Sequence, residues 1–278
     1  MTGSARHAIG GYREYAPAPE AARFCEAFWT HVADSAATAG SAHRVLPDPA
    51  VSLAFRATRT PSGVVRDAAV VLIGPKTRAH VFPVEPGVEF AAVRLKLEWT
   101  TPLLAIDAGS IDDLLIDLAV LRPDIAGSLL DRLTRTTSAT AALRVLATTV
   151  QDCASTSGAP RQAARAALEL LRGSAGRMPL ANVADTIGVS VRHLRRQVQD
   201  ATAVAPKTYA RALRLARAMR IADSSTTPAW ADIAARAGYC DQSHLIREAI
   251  ALAGAPPAHL HTERRLQRVS AAERSNTV

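Results

Sequence analysis

At 278 residues, with 48 % apolar and 21 % charged positions, the chain can bury the cores of two ordinary domains, and its composition excludes the disordered class. Its net charge of +8 is unevenly spread: residues 1–158 carry 15 Lys and Arg against 16 Asp and Glu, whereas residues 159–278 carry 18 against 9. An electrostatic footprint for phosphates therefore belongs to the C-terminal part alone, and the N-terminal part needs a different explanation.

The first helical signal is at Glu20 to Val32, where Phe24, Phe28 and Val32 recur at i, i+4, i+8 and predict a short amphipathic helix. Extended signals follow at Val51–Phe55, Val64–Ile73 and Val88–Leu97. In the last of these, Val93, Leu95 and Leu97 alternate with Arg94 and Lys96, so one face is buried. Pro61-Ser62-Gly63, Gly74-Pro75 and Pro86-Gly87 separate these runs as turns, and the short spacing predicts a compact antiparallel sheet. From Ile111 the period lengthens: Leu114, Leu115, Leu118, then Leu129, Leu130, Leu133, then Leu143, Leu146, Val150 predict helices closing a first domain. Ser155 to Pro160 has linker composition, and a helix with Ala164, Leu168 and Leu171 follows it. The expected division is a domain over 1–153, a linker over 154–160, a helical domain over 161–265 and a flexible tail over 266–278.

Within the helical part, Leu180 to Ser190 predicts a short helix bearing Val183 and Ile187, a turn at Gly188, and Ser190 capping the next helix. On that next helix Val191, Leu194, Val198 and Ala201 fall on one side of a 100° wheel. Arg192, Arg195, Arg196 and Gln199 fall on the other. Arginine pairs bidentately with guanine or phosphate, so this arc suits a helix lying in a DNA groove. A solvated basic face would carry the same residues. Some 40 residues on, Trp230 to Gly238 and then Tyr239-Cys240-Asp241 repeat the plan, with Asp241 capping a helix through Ala253. Between the copies a helix over Lys207 to Ile221 sets Lys207, Arg211 and Arg214 along one side, opposite Ala212, Ala216 and Met219. A connecting helix can place two such units about one DNA turn apart, ~34 Å, on double-stranded DNA.

Four blocks, Ser190-Val-Arg-His-Leu-Arg-Arg, Pro206-Lys-Thr-Tyr-Ala-Arg, Arg214-Leu-Ala-Arg-Ala and Gly238-Tyr-Cys-Asp-Gln-Ser-His-Leu-Ile-Arg, occur in order and are followed by Gly254 and Pro256. Through them, residues 159–265 resemble the paired helix-turn-helix domain of the AraC/XylS regulators. The resemblance implies base or phosphate contacts at Arg192, Arg195 and Arg196 in the first unit and at Gln242, Ser243 and Arg247 in the second. Three positions depart from the pattern: Ala203 replaces a usual Gly, Ala249 a usual core Phe, and Ile250 a usual basic residue. These predict a weakened second unit, since Ala for Phe leaves less buried area unless neighbours fill the space.

Tyr12-Arg-Glu-Tyr-Ala-Pro, Phe28-Trp29, Val45-Leu-Pro-Asp48, Ile73-Gly-Pro75 and Val93-Arg-Leu-Lys resemble, over about residues 10–135, a β-rich N-terminal domain of some actinobacterial-type AraC regulators. That likeness implies a sensor of a small-molecule effector or a self-association domain. The fold class expected is thus α+β, a β-rich N-terminal domain with flanking helices followed by an all-α domain with two helix-turn-helix units.

No active site assembles. Asp112, Asp113 and Asp117 read as a solvated helix face, His31, His43 and His80 lack metal-ligand spacing, Trp29 and Trp99 read as core, and His244 as a capping or packing residue. Cys25, Cys153 and Cys240 form no Cys-x-x-Cys pair, which supports neither a disulfide framework nor a zinc site. The expectation is a cytoplasmic non-enzyme without cofactor or membrane partner. It would meet RNA polymerase if it activates, and homodimerisation would be optional. Two rivals stay open: a helical protein-interaction module with degenerate DNA binding, and a cysteine-dependent enzyme of the DNA-repair type, which would need a cysteine of depressed pKa.

Overall fold

In the computed structural model the described residues are 7–9, 11–32, 42–60, 62–83, 85–111, 113 and 115–275. Pro61, Asp112 and Leu114 lie outside them. The chain forms two compact units. The first comprises 1–43, 50–75 and 82–159, and the second 44–49, 76–81 and 160–278.

The first unit is built on a sheet. Strands β1 (His7–Ile9), β2 (Tyr12–Tyr15), β3 (Cys25–Val32), β5 (Val51–Arg59), β6 (Val65–Ile73), β8 (Val88–Leu95) and β9 (Leu115–Asp117) lie in the order β1-β2-β3-β8-β5-β6-β9. The pairings between neighbours are antiparallel. β4 (Ala42–Val45) and β7 (His80–Pro83) pair as a separate ribbon. Four helices follow, α1 (Thr100–Leu104), α2 (Leu118–Leu121), α3 (Pro123–Thr134) and α4 (Ala139–Thr156), with α3 packing on β6 and α4 on β8, β3 and β5. Strand alternation divides the sheet residues into two sets. Phe28, Val93, Leu53 and Leu72 share one row and are fully buried, as are Leu129 and Leu133 of α3 and Leu143, Leu146 and Val150 of α4. The adjacent row, Trp29, Ala92, Ala54 and Val71, points to the other face, where Trp29, Phe90, Ala69 and Ile73 pack over Ala54, Ala92 and Val71.

Two sequence expectations fail here. Residues 25–32 are a strand, not a helix: a spacing of four is also a multiple of the strand period of two, and Phe28-Trp29-Thr30 is rich in strand formers. Leu115 does not open a helix either, and the helix expected there begins only at Leu118. Leu115 to Asp117 pair with Ile73 to Val71 as β9, and Asp117 caps α2 by accepting from the Ala119 amide at 2.8 Å.

The helices of the second unit are α5 (Gln162–Gly173), α6 (Leu180–Ile187), α7 (Val191–Thr202), α8 (Pro206–Ala222), α9 (Trp230–Ala237), α10 (Gln242–Ala253) and α11 (Pro257–Ser275). α11 thus runs through most of the segment expected as a tail. α8 is buried along Tyr209, Ala212, Leu215, Ala218, Met219 and Ala222, and packs against α5 and α7 as well as α9, α10 and α11.

Candidate nucleic-acid interface

Each helix-turn-helix is set by local chemistry. Gly188 (φ 72°) and Gly238 (φ 87°) end α6 and α9 in the left-handed region. At Gly238 a side chain would also collide with Arg177, since an added Cβ would sit 2.7 Å from its Cγ. Ser190 Oγ accepts from the His193 amide at 3.2 Å, and Asp241 Oδ1 from the His244 amide at 2.6 Å, so both following helices start on a side-chain cap. α7 and α10 are therefore equivalent elements of two copies.

On α7, Leu194 and Val198 are fully buried while Arg192, Arg195, Arg196 and Gln199 are exposed, so three guanidinium groups share one solvent-facing arc. Arg195, Arg196, Gln199 and Asp200 line a concavity of about 370 Å³ with Ala205, Pro206 and Lys207 at the start of α8. Four of the expected contact residues are brought together there. Gln199 already spends its amide on the Ala203 carbonyl at 2.5 Å. Ala203, at φ 59°, is a left-handed cap without glycine.

On α10, Leu245, Ala249 and Leu252 are buried, and Gln242, Ser243 and Arg247 are exposed, as is Ile250. Arg211 stands apart from the other expected contacts. Its Nε donates to Glu248 Oε2 at 2.8 Å across α8 and α10. Burial alone would raise the Glu248 carboxyl, but Arg211, followed by Arg214 and His244, holds it below the usual carboxylate range. Arg214 lies over the Tyr239 ring at 5.5 Å, and burial pushes the Tyr239 phenol upward against that neighbouring charge. His244 packs edge-on to Tyr239 at 5.2 Å and its Nδ1 accepts from the Cys240 amide at 3.4 Å. Sequence reading missed Glu248, because the pair joins residues 37 apart with no periodic signal.

Burial pushes Cys25 up to about 12 and also raises Cys153, so neither of these two thiols is an activated nucleophile. Among the described residues no group of three His, Cys, Asp or Glu could hold a metal ion, and no helix is long and apolar enough to cross a membrane.

Residues 183–272 match the family described as Helix-turn-helix domain, and residues 13–117 match a domain of unknown function, DUF6597. No curated protein is matched. Among solved structures, ToxT from Vibrio cholerae O395 is 10 % identical with a TM-score of 0.44 over 85 % of this chain and 98 % of its own. Wild-type ToxT from V. cholerae strain SCE256, bound to an unsaturated fatty acid, is 14 % identical with a TM-score of 0.44 over 84 % and 94 %. The C-terminal domain of AraT, a response regulator from Geobacillus stearothermophilus, is 22 % identical with a TM-score of 0.35 over 37 % and 87 %. Likenesses at these scores carry no weight here. The weight rests on the matched helix-turn-helix family and on the four ordered blocks, now seated on two capped helix-turn-helix units. Residues 183–272 thus carry a helix-turn-helix domain, and the four blocks through which the chain resembles the AraC/XylS regulators lie within it.

Proposed function

We propose that this chain is a DNA-binding transcriptional regulator that binds a non-palindromic operator by laying α7 and α10 into successive major grooves, with the larger share of affinity coming from the first helix-turn-helix. Arg192, Arg195 and Arg196 supply base and phosphate contacts, Lys207 anchors phosphate, and Gln242, Ser243 and Arg247 serve the second groove. The observation that carries this reading is the exposed three-arginine arc of α7 set opposite its buried Leu194 and Val198. On α10 the corresponding surface offers one exposed arginine, and Arg211 is neutralised by Glu248. In the domain scheme we propose, residues 1–153 sense a small molecule or self-associate, 154–160 link, and 161–265 bind DNA, without enzymatic activity and in the cytoplasm. The sheet face opposite α3 and α4 supports the sensing role. There Trp29 lies 5.6 Å from Tyr12 and 6.3 Å from Phe90, and Arg94 donates to Glu14 and Tyr12 at 2.8 and 3.0 Å. RNA polymerase is a further partner if the output is activation, and a homodimer is compatible with two DNA-reading units in one chain.

The test is fluorescence-anisotropy titration of the full chain against fragments upstream of its own gene at several salt concentrations, beside Arg195→Ala/Arg196→Ala. The expected result is one fragment bound well above random DNA, with a steep salt slope and a loss in the variant. If no fragment beats random DNA and the variant matches the parent, the arc is not the contact surface and the protein-interaction reading replaces it.

A further inference from the structure

The two recognition helices end differently. α7 closes on its own neighbourhood: the Ala203 amide donates to the Gln199 carbonyl at 2.8 Å, Gln199 returns a bond to the Ala203 carbonyl, and Thr202 Oγ1 donates to the Val198 carbonyl. α10 does not. Gly254 covers the Ile250 carbonyl, but the last two carbonyls are met by groups far away in sequence. The Ala79 amide donates to the Leu252 carbonyl at 2.8 Å, and Arg44 Nη1 donates to the Ala253 carbonyl at 2.9 Å. A helix end leaves its final carbonyls without intrahelical partners and carries partial negative charge, so a guanidinium there satisfies both needs. Arg44 also grips α11 through Glu263, with Nε to Oε2 at 3.0 Å.

The packing shows the same dependence. The core under α10 contains Ala249, fully buried, with Leu245, Leu252 and Ile233, and Leu46 and Ala79 pack against it. The Lys76 amide donates to the Asp48 carbonyl at 2.7 Å, which ties segments 44–49 and 76–81 to each other. Both segments fall within the second unit, and their Leu46 and Ala79 join the cluster that contains Ala249.

We infer that segments 44–49 and 76–81 complete the second helix-turn-helix, with Arg44 and Leu46 as positioning residues for recognition helix α10. The first helix-turn-helix needs no such contribution. The inference rests on the DNA-binding reading only in its consequence for DNA: α10 is held in its reading position by residues some 200 positions away, with a sequence separation of 209 between Arg44 and Ala253.

The test is hydrogen exchange by mass spectrometry on the full chain, comparing wild type, Arg44→Ala, Leu46→Ala and Arg44→Lys. Peptides over 242–253 in the two alanine variants should exchange ~10-fold faster or more, while peptides over 191–202 keep wild-type protection. Arg44→Lys, which keeps a cationic donor for the Ala253 carbonyl, should stay near wild type. Unchanged protection over 242–253, an equal loss over 191–202, or an Arg44→Lys variant as damaged as Arg44→Ala would each overturn the assignment. A hydroxyl-radical footprint on the duplex that wild type selects adds the functional arm. The alanine variants should lose one of two protected blocks and keep the other; retention of both overturns the consequence for DNA. A wild type that protects no duplex refutes the DNA reading, while the exchange result still decides the positioning roles.

Discussion

Replacing Ala203 by glycine should stabilise the compact unit that contains 160–278. Ala203 ends α7 at φ 59°, ψ −6°, where its Cβ crowds the following carbonyl. Left-handed backbone costs a non-glycine residue roughly 1–2 kcal/mol, and glycine returns roughly 0.4–1 kcal/mol of that as extra entropy in the unfolded chain. The net gain expected is therefore about 0.5–1 kcal/mol, worth ~2–4 °C in a unit of this size. The conformation is held by its surroundings, since the Ala203 amide and the Thr202 hydroxyl both bond back into α7 and the Val204 amide bonds to Thr202 Oγ1. The assay is urea denaturation of the full chain followed by helical circular dichroism, with Ala216→Gly in the middle of α8 as the opposite control. That control should lose about 1 kcal/mol, the ordinary helix-interior cost of glycine. A midpoint for Ala203→Gly that is unchanged or lower, with an unchanged m value, would refute the claim that α7 ends under strain.

Glu248→Gln should release Arg211 from its ion pair and remove a negative charge from α10, so the salt slope of DNA binding should steepen by up to about 0.9 with tighter binding at low salt; anisotropy titrations that show a shallower slope would count against a free Arg211 acting as an anchor. His31 is held neutral down to about 4, by burial first and by neighbouring His43 second, against an ordinary value of 6.5. Between those values the unfolded chain binds the extra proton, so the first unit should lose stability as pH falls from 6.5 toward 4, and His31→Gln should flatten that slope in denaturant titrations at stepped pH. Cys25, buried and raised to about 12, should react with an alkylating probe far more slowly than exposed Cys240, as peptide mapping would show, and the reverse order would reopen the thiol-chemistry rival.

Legibility followed the range of the interactions. Gly188, Gly238, Ser190 and Asp241 act within a few residues of themselves, so caps and turns of both helix-turn-helix units stood in the sequence with nearly their observed bounds. β5, β6 and β8 were legible because strand formers ran between turn residues. β3 was misread where spacings of two and four coincide, and β9 was hidden in a leucine-rich run that its pairing with β6 overrides. The Arg211 to Glu248 pair and the Arg44 bond to Ala253 depend on contacts 37 and 209 positions apart, which no local pattern encodes. The weakness expected of the second helix-turn-helix rests on Ala249 and Ile250, and the cluster around Ala249 includes Leu46 and Ala79, some 200 and 170 positions away, which no local pattern links to α10.

On the reading proposed above, the two helix-turn-helix units divide the work unequally, for physical reasons that differ in kind. The first presents three arginines on a helix that needs nothing beyond its own surroundings to end, so its contact surface is set as soon as α5 to α8 pack. The second balances one of its basic residues with Glu248, exposes Ile250 to solvent, and takes part of its core and both terminal helix partners from segments 44–49 and 76–81. A recognition helix whose seat depends on remote segments can be weakened from those segments without touching a DNA contact, whereas α7 is seated by its near neighbours α5, α6 and α8. Substitutions that alter operator affinity from outside 160–278 should therefore act on the half-site under α10, and those that abolish binding outright should fall on α7.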